Sequence, residues 1–180
     1  QFEYFADHDK EALQMYIDAT DQFAKEYLFP HLVEMDRKQP ELVNGRIQVH
    51  PIHKDIMRIS GENGWISILA NKEVGGLQMP AVFSTAASFI LGAANYSGCV
   101  FVGLTMGAAH LIETFADKKY HDVYLPKMFA GLWQGTMALT EPGAGSSLSD
   151  VVTTAEKQND GTYKIVGQKI FISCGDSAAV

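Results

Sequence analysis

A chain of 180 residues with 47% hydrophobic and 19% charged side chains is long enough to bury a core and ordinary in composition for a globular protein, which excludes disorder and fibrous repeats. A net charge of −7 excludes a nucleic-acid binder, because phosphate recognition calls for a basic stripe and the 14 Lys and Arg are scattered. Cys99 and Cys174 stand far apart without CxxC spacing, so free thiols in a reducing compartment, the cytoplasm or an organelle matrix, are expected rather than a disulfide framework.

The opening QFEYFADHDK begins with Gln and is too acidic for a secretory or transit segment. From Lys10 to Arg37, Leu13, Ile17, Thr20, Phe23, Ala24, Tyr27 and Leu28 recur at three- and four-residue steps, which predicts one face of an amphipathic helix. Pro30 should kink or interrupt it. A polar linker is expected from about Pro40 to Gln48. Pro51 then opens a short second helix, with Ile52, Ile56 and Ile59 on one face and Gly61 and Gly64 near its end.

Val74 to Pro80 reads as a turn-rich break. From Val74 to Ile112 there is no Asp, Glu, Lys or Arg, which raises the question of a membrane span. Gln78, Pro80 and Asn95 count against it, and the Asn95-Tyr96-Ser97-Gly98 break leaves no run of the roughly 20 apolar residues that a crossing needs. Two small-residue-rich helices, about Ala81 to Ala94 and Cys99 to Phe115, are expected as a buried hairpin, with no integral membrane span. Asp117 should cap a last helix carrying Tyr120, Val123, Tyr124 and Met128, which Pro126 bends or ends early and Gly131 stops.

From Trp133 the period changes. Thr136 to Thr140 is an apolar strand and Glu141 to Ser147 a loop; Val151 to Lys157 alternates, Asn159-Asp160-Gly161 turns, and Thr162 to Val166 and Lys169 to Ser173 read as further strands. Helices first and strands afterwards predict an α+β chain, helical over residues 1–132 and β over 133–180.

The strongest chemical signal is Met137-Ala138-Leu139-Thr140-Glu141-Pro142-Gly143-Ala144-Gly145-Ser146-Ser147, a strand emptying into a Gly-bearing loop flanked by hydroxyls. Glycines let backbone approach a ligand, and exposed amides and hydroxyls can hold an anion or a heterocycle edge; an ordinary β turn is the alternative reading of the same residues. The loop is no Walker motif, lacking Lys, and no dinucleotide fingerprint, because Leu148 replaces the third glycine and a strand follows. A Gly-x-Ser-x-Gly elbow is missing too.

This stretch, with Tyr124-Leu125-Pro126-Lys127-Met128, Gly131 and Trp133 before it, resembles the acyl-CoA dehydrogenase signature. Val74-Gly75-Gly76-Leu77 with Pro80, and Lys169-Ile170-Phe171-Ile172-Ser173-Cys174-Gly175, resemble two further family segments in order and spacing. The resemblance implies a helical domain followed by the beginning of an antiparallel β-barrel that binds FAD. Met137, Leu139 and Thr140 would line the isoalloxazine, Gly145 and Ser146 would approach the FAD pyrophosphate and the entering CoA ester, Ser173 would place a hydroxyl near flavin N5, and Phe171 a ring beside the flavin. Ser147 stands where the family usually has Asp, Phe171 where it has Trp, Ser173 where it has Thr, and Cys174 where it has Asn.

The resemblance further implies α,β-dehydrogenation of an acyl-CoA thioester, an electron-transfer flavoprotein as acceptor and a homodimer or homotetramer. The catalytic carboxylate is expected beyond Val180, in a C-terminal helical domain, so no base is assigned and Glu141 is read as structural. The helices from Phe83 to Phe115 would wall the acyl cavity, with Gly103, Gly107 and Ala108 setting its room. An acyl-CoA oxidase shares the signature, and a non-catalytic helical binding domain is the alternative from another class. His50 and His53, three apart without a third ligand, read as a surface pair and not a metal site. His110 reads as a packed histidine, and Asn95-Tyr96-Ser97 as an unused glycosylation sequon.

Overall fold

The computed structural model describes residues 3–178; Gln1, Phe2, Ala179 and Val180, which fall within the two expected spans, lie outside them. The Asp9 carboxylate accepts from the Ala12 amide at 2.7 Å and so starts α1, Lys10–Phe23. The helix expected to reach Arg37 changes geometry before it gets there. A π-helical turn over Ala24–Leu28 and a 3-10 turn over Phe29–His31 precede the short α2, Leu32–Arg37. Pro30 accounts for this: it has no amide to donate and its ring crowds the carbonyl four residues back, so the backbone widens upstream of it. Thr20, Phe23, Ala24 and Leu28 form the buried face that their spacing predicts.

The stretch expected as a linker is an antiparallel hairpin, β1 (Glu41–Val43) with β2 (Arg46–Gln48), Leu42 facing Ile47. Asn44 and Gly45, at φ 52° and 77°, supply the two left-handed residues that a tight hairpin turn requires. Next, α3 (His53–Glu62) buries Ile56, Met57 and Ile59.

The uncharged region forms α4, Ala81–Phe115, in which two helical arms meet at Asn95, whose backbone is extended (φ −166°, ψ 93°). Asn95 is buried. Its Oδ1 accepts from the Gly98 amide at 3.0 Å, capping the second arm, while Nδ2 donates to the Leu28 carbonyl at 3.2 Å and contacts the Met35 sulfur. By length and apolar composition α4 is sufficient to cross a membrane. Asn95 interrupts it, however, and α1, α3 and the last helix pack on it. The hairpin is buried on one face only. Leu91, Phe101, Val102 and Ile112 are inside, whereas Val82, Phe89, Tyr96, Leu111 and Phe115 are exposed.

The last helix, α5 (Lys118–Phe129), runs through Pro126 to Phe129 rather than ending early. Asp117 precedes it without a side-chain cap bond and instead lies 3.6 Å from Lys119. Gly131 (φ 71°) stops the helix, its amide reaching the Met128 carbonyl at 2.9 Å and the Leu132 amide the Lys127 carbonyl at 3.0 Å. A Cβ on Gly131 would sit 2.2 Å from the Met57 carbonyl oxygen, and one on Gly61 2.4 Å from the Ala130 carbonyl carbon, so these two glycines let α3 and the end of α5 touch backbone to backbone.

Beyond the helices, β3 (Thr154–Lys157) pairs antiparallel with β4 (Tyr163–Val166) around the Asn159–Gly161 turn, with every strand residue exposed. The α+β order therefore holds as a helical N-terminal part followed by a few antiparallel strands; among the described residues the strands form two-stranded ribbons, not a closed barrel.

The Asn95 joint yields a stability test. Asn95→Ala should lose a cap of about 0.5–2 kcal/mol and leave the buried Leu28 carbonyl short of a donor, a further ~1–3 kcal/mol. Asn95→Ser keeps a capping hydroxyl, so denaturant unfolding should place it between wild type and Asn95→Ala. Wild-type stability in both variants refutes the joint.

Candidate functional site

The second arm of α4 anchors the chain as it leaves the helices. The Thr105 hydroxyl donates to the Phe101 carbonyl at 2.7 Å and accepts from the Gly135 amide at 3.2 Å. Glycine is needed at 135, where a Cβ would come 2.4 Å from that of Ala108. From this anchor residues 136–140 run alongside 169–173 in the opposite direction. The Thr136 hydroxyl donates to the Ser173 carbonyl, the Ile170 amide to the Thr140 carbonyl at 2.9 Å, and the Lys169 ammonium to the Leu139 carbonyl at 3.0 Å. Neither segment forms the regular strand expected. Phe171 and Cys174 have φ of 57° and 61°, left-handed values that a β ladder does not accommodate.

The loop between them is drawn tight by its own backbone. The Glu141 and Ala144 amides each donate to the other's carbonyl, at 2.9 and 3.2 Å, which turns Pro142 and Gly143 outward. Glu141 is buried at 3% exposure, and its carboxylate accepts from the Val152 amide at 2.8 Å, the Thr153 amide at 3.1 Å and Lys169 Nζ at 2.7 Å. Lys169, followed by Thr153 and the Val152 amide, holds the Glu141 carboxyl down at about 2. A carboxylate engaged in this way is a structural clasp, as expected, and not a free base.

The structure thus brings Met137, Leu139 and Thr140 beside Phe171 and Ser173, with Gly145 and Ser146 on the adjoining loop. Met137, Leu139 and Phe171 are exposed, Phe171 at 87%. Gly143 and Gly145 have no neighbour within 4 Å of an added Cβ, so their backbone is open to approach. Apolar side chains, hydroxyls and bare amides in one place suit a planar heterocycle carrying a pyrophosphate, so the residues present fit FAD. Sequence reasoning assigned no role to Lys169 or Thr136. The available signal was a lone Lys opening an apolar segment, opposite a Glu in a Gly-bearing loop.

Two cavities lie against α4, the first of them beside this wall. One, of about 520 Å³, separates Ile172, Ser173 and Cys174 from His53, Val100 and Phe101. The other, of about 230 Å³, lies between the two arms of α4 and is lined by Trp65, Leu91, Gly92, Cys99, Gly103 and Met106. Of the three small residues expected to set acyl room, Gly103 lines it, while Gly107 is exposed elsewhere and Ala108 packs on Gly135.

The histidines depart from expectation. His53 is buried against Phe101, ring centroids 4.4 Å apart, and burial, followed by the charge of His50, lowers it to about 4. His50 instead meets Glu34 at 3.4 Å and the His31 ring at 5.6 Å. Its Nδ1 accepts from the Ile52 amide, and the ligand-type atoms of His31, Glu34 and His50 lie within 4.8 Å of one another, so the third partner missing from the His50–His53 spacing comes from the preceding helical segment. His110 is exposed, not packed, and the sequon Asn95 is buried.

Residues 10–132 match the family described as Acyl-CoA dehydrogenase, N-terminal domain, and the chain belongs to that family. It is 37% identical over 155 residues to the 3-methylmercaptopropionyl-CoA dehydrogenase of Ruegeria pomeroyi, covering 86% of this chain and 26% of the relative. An acyl-CoA dehydrogenase structure from Geobacillus kaustophilus superposes with a TM-score of 0.75 at 28% identity, over 95% of this chain and 42% of that one. A Bacillus anthracis acyl-CoA dehydrogenase solved in complex with FAD shares the fold, with a TM-score of 0.76 at 23% identity over 96% and 28% of the two chains. The chain therefore spans about a quarter of that curated relative and less than half of these structures.

The clasp has a pH signature. A carboxyl lowered from 4.5 to about 2 stabilises the fold fully above about 4.5, and that contribution disappears as pH falls toward 2. Glu141→Gln should therefore be less stable than wild type at pH 7, with the gap closing across that window. Unfolding curves collected from pH 7 to pH 2 test this; parallel pH profiles for the two proteins would contradict it.

Proposed function

We propose that this chain is the flavin- and acyl-binding front of an FAD-dependent acyl-CoA dehydrogenase that converts an acyl-CoA thioester to the trans-2-enoyl-CoA. The observation that supports the reading is the pairing of 136–140 with 169–173 beside the Glu141 clasp, which sets the segment of Met137, Leu139 and Thr140 next to that of Phe171 and Ser173, with Gly145 and Ser146 on the loop that follows. Bound FAD supplies the hydride acceptor. The Thr140 and Ser173 hydroxyls donate toward the ring edge where negative charge gathers on reduction, and Met137, Leu139 and Phe171 cover apolar ring surface. Gly145 and Ser146 meet the pyrophosphate and the CoA ester through amide and hydroxyl.

The cavity between the arms of α4 takes the distal acyl chain, with Gly103 leaving room for it. Glu141, the carboxylate of the Gly-bearing loop, is spent on Lys169 and two amides and is not free to remove the α proton. In this reading the acceptor is an electron-transfer flavoprotein and the assembly homo-oligomeric, and the free thiols of Cys99 and Cys174 suit a reducing compartment, the cytoplasm or an organelle matrix.

Two measurements on the full-length protein test the reading. Thr140→Val with Ser173→Ala removes two donors, each of about 0.5–1.5 kcal/mol, and should lower flavin content and shift the flavin potential; an unchanged flavin would refute the two assignments. Gly103→Leu should reduce kcat/KM for long acyl chains over short ones by ~1–3 kcal/mol. Its melting point should hold or rise, because the site is open and leaving glycine favours a helix by up to ~1 kcal/mol. A uniform loss across chain lengths with a lowered melting point argues for a packing role instead.

A further inference from the structure

The segment carrying Ser173 is held in a conformation that its own residues disfavour. Phe171 and Cys174, on either side of it, occupy left-handed backbone at φ 57° and 61°, and neither is glycine. Such residues persist only where surrounding contacts over-determine them. One contact is the Thr136 hydroxyl on the Ser173 carbonyl. The other comes from the far end of the sequence: the Ile47 amide of β2 donates to Asp176 Oδ2 at 2.8 Å, across 129 positions. Ile47 faces Leu42 within the hairpin, yet its amide points out of the ribbon, so this edge donor is free for Asp176. The turn beyond Ser173 is closed further by the Ser177 amide on the Cys174 carbonyl at 3.1 Å.

We propose that Asp176 is a positioning residue: it moors the 172–177 segment to the β1–β2 hairpin and thereby sets the place of the Ser173 hydroxyl. This rests on the flavin reading above. The hairpin, part of the helical domain, becomes the outer support of the flavin wall, and the 520 Å³ cavity lies between that support and α4. Asp176 touches neither cofactor nor substrate in this role; it acts through the backbone.

The test uses full-length protein carrying Asp176→Ala, Ile47→Pro or Asp176→Asn, with Ser173→Ala alongside. Ile47→Pro removes the donor at an edge position where proline is tolerated, and Asp176→Asn keeps an acceptor. In flavin-free protein, amide exchange across 172–177 should quicken about tenfold in Asp176→Ala and Ile47→Pro, the factor expected for one lost hydrogen bond, and stay near wild type in Asp176→Asn. With FAD bound, the first two should shift the flavin potential in the same direction as Ser173→Ala. Unchanged exchange and potential in both, while Ser173→Ala shifts the potential, overturn the mooring and leave the flavin reading standing. Wild-type protein that takes up no FAD overturns both.

Discussion

One buried amide holds the helical half together. Asn95 lies inside an uncharged region of nearly forty residues, yet every polar atom of its side chain is engaged: Oδ1 closes the first turn of the second arm, and Nδ2 binds the Leu28 carbonyl and the Met35 sulfur. Leu28 belongs to the π turn that Pro30 imposes on the first helical stretch. The irregularity of one helix and the break in another are thus joined in a single contact. Gly98 completes it, because a Cβ there would press on Leu28 and Ile56 at 3.1 and 3.2 Å.

What this joint orients reaches the site in two steps. The second arm carries Thr105, whose hydroxyl seizes the Gly135 amide, so residues 136–140 leave the helices at a defined point. Gly61 and Gly131 fix the end of α5 on α3 just before it. The loop then needs only local bonds, and Glu141 provides them by gripping Val152, Thr153 and Lys169. Rigid support of this kind suits a wall that must meet a cofactor without rearranging.

The parts legible in sequence were those whose cause is local. The three- and four-residue spacing from Leu13 to Leu28, the glycine stop at Gly131 and the Asn159–Gly161 turn each follow from a few neighbouring residues. The β1–β2 hairpin is absent from the expected elements although Asn44-Gly45 marks its turn and Arg46-Ile47-Gln48-Val49 alternates, because each strand has only three residues, shorter than the four to eight by which a strand is read. His50 could not be paired with Glu34 and His31 from spacing, since the hairpin, not the sequence, closes that distance. Lys169–Ser173 is not a regular strand although its β-rich residues suit one: the left-handed backbone at Phe171 within it and at Cys174 just beyond, which no propensity reveals, breaks the ladder.

Those left-handed residues also give the family's usual residues a physical meaning. Asn is among the few side chains that tolerate positive φ, so the family's Asn at the place of Cys174 suits φ 61°, whereas Cys there bears strain. Its thiol, half-buried and pushed up by burial, gains no ionic compensation. The strain must then be carried by contacts on either side of Ser173, and this chain has them in Thr136 and Asp176. Ser147, by contrast, replaces the usual Asp at an exposed position whose hydroxyl meets only that of Ser149 at 3.2 Å. The loop's shape rests on Glu141 instead, so that substitution leaves the clasp intact, whereas the change at Cys174 falls on the backbone that aims the Ser173 hydroxyl.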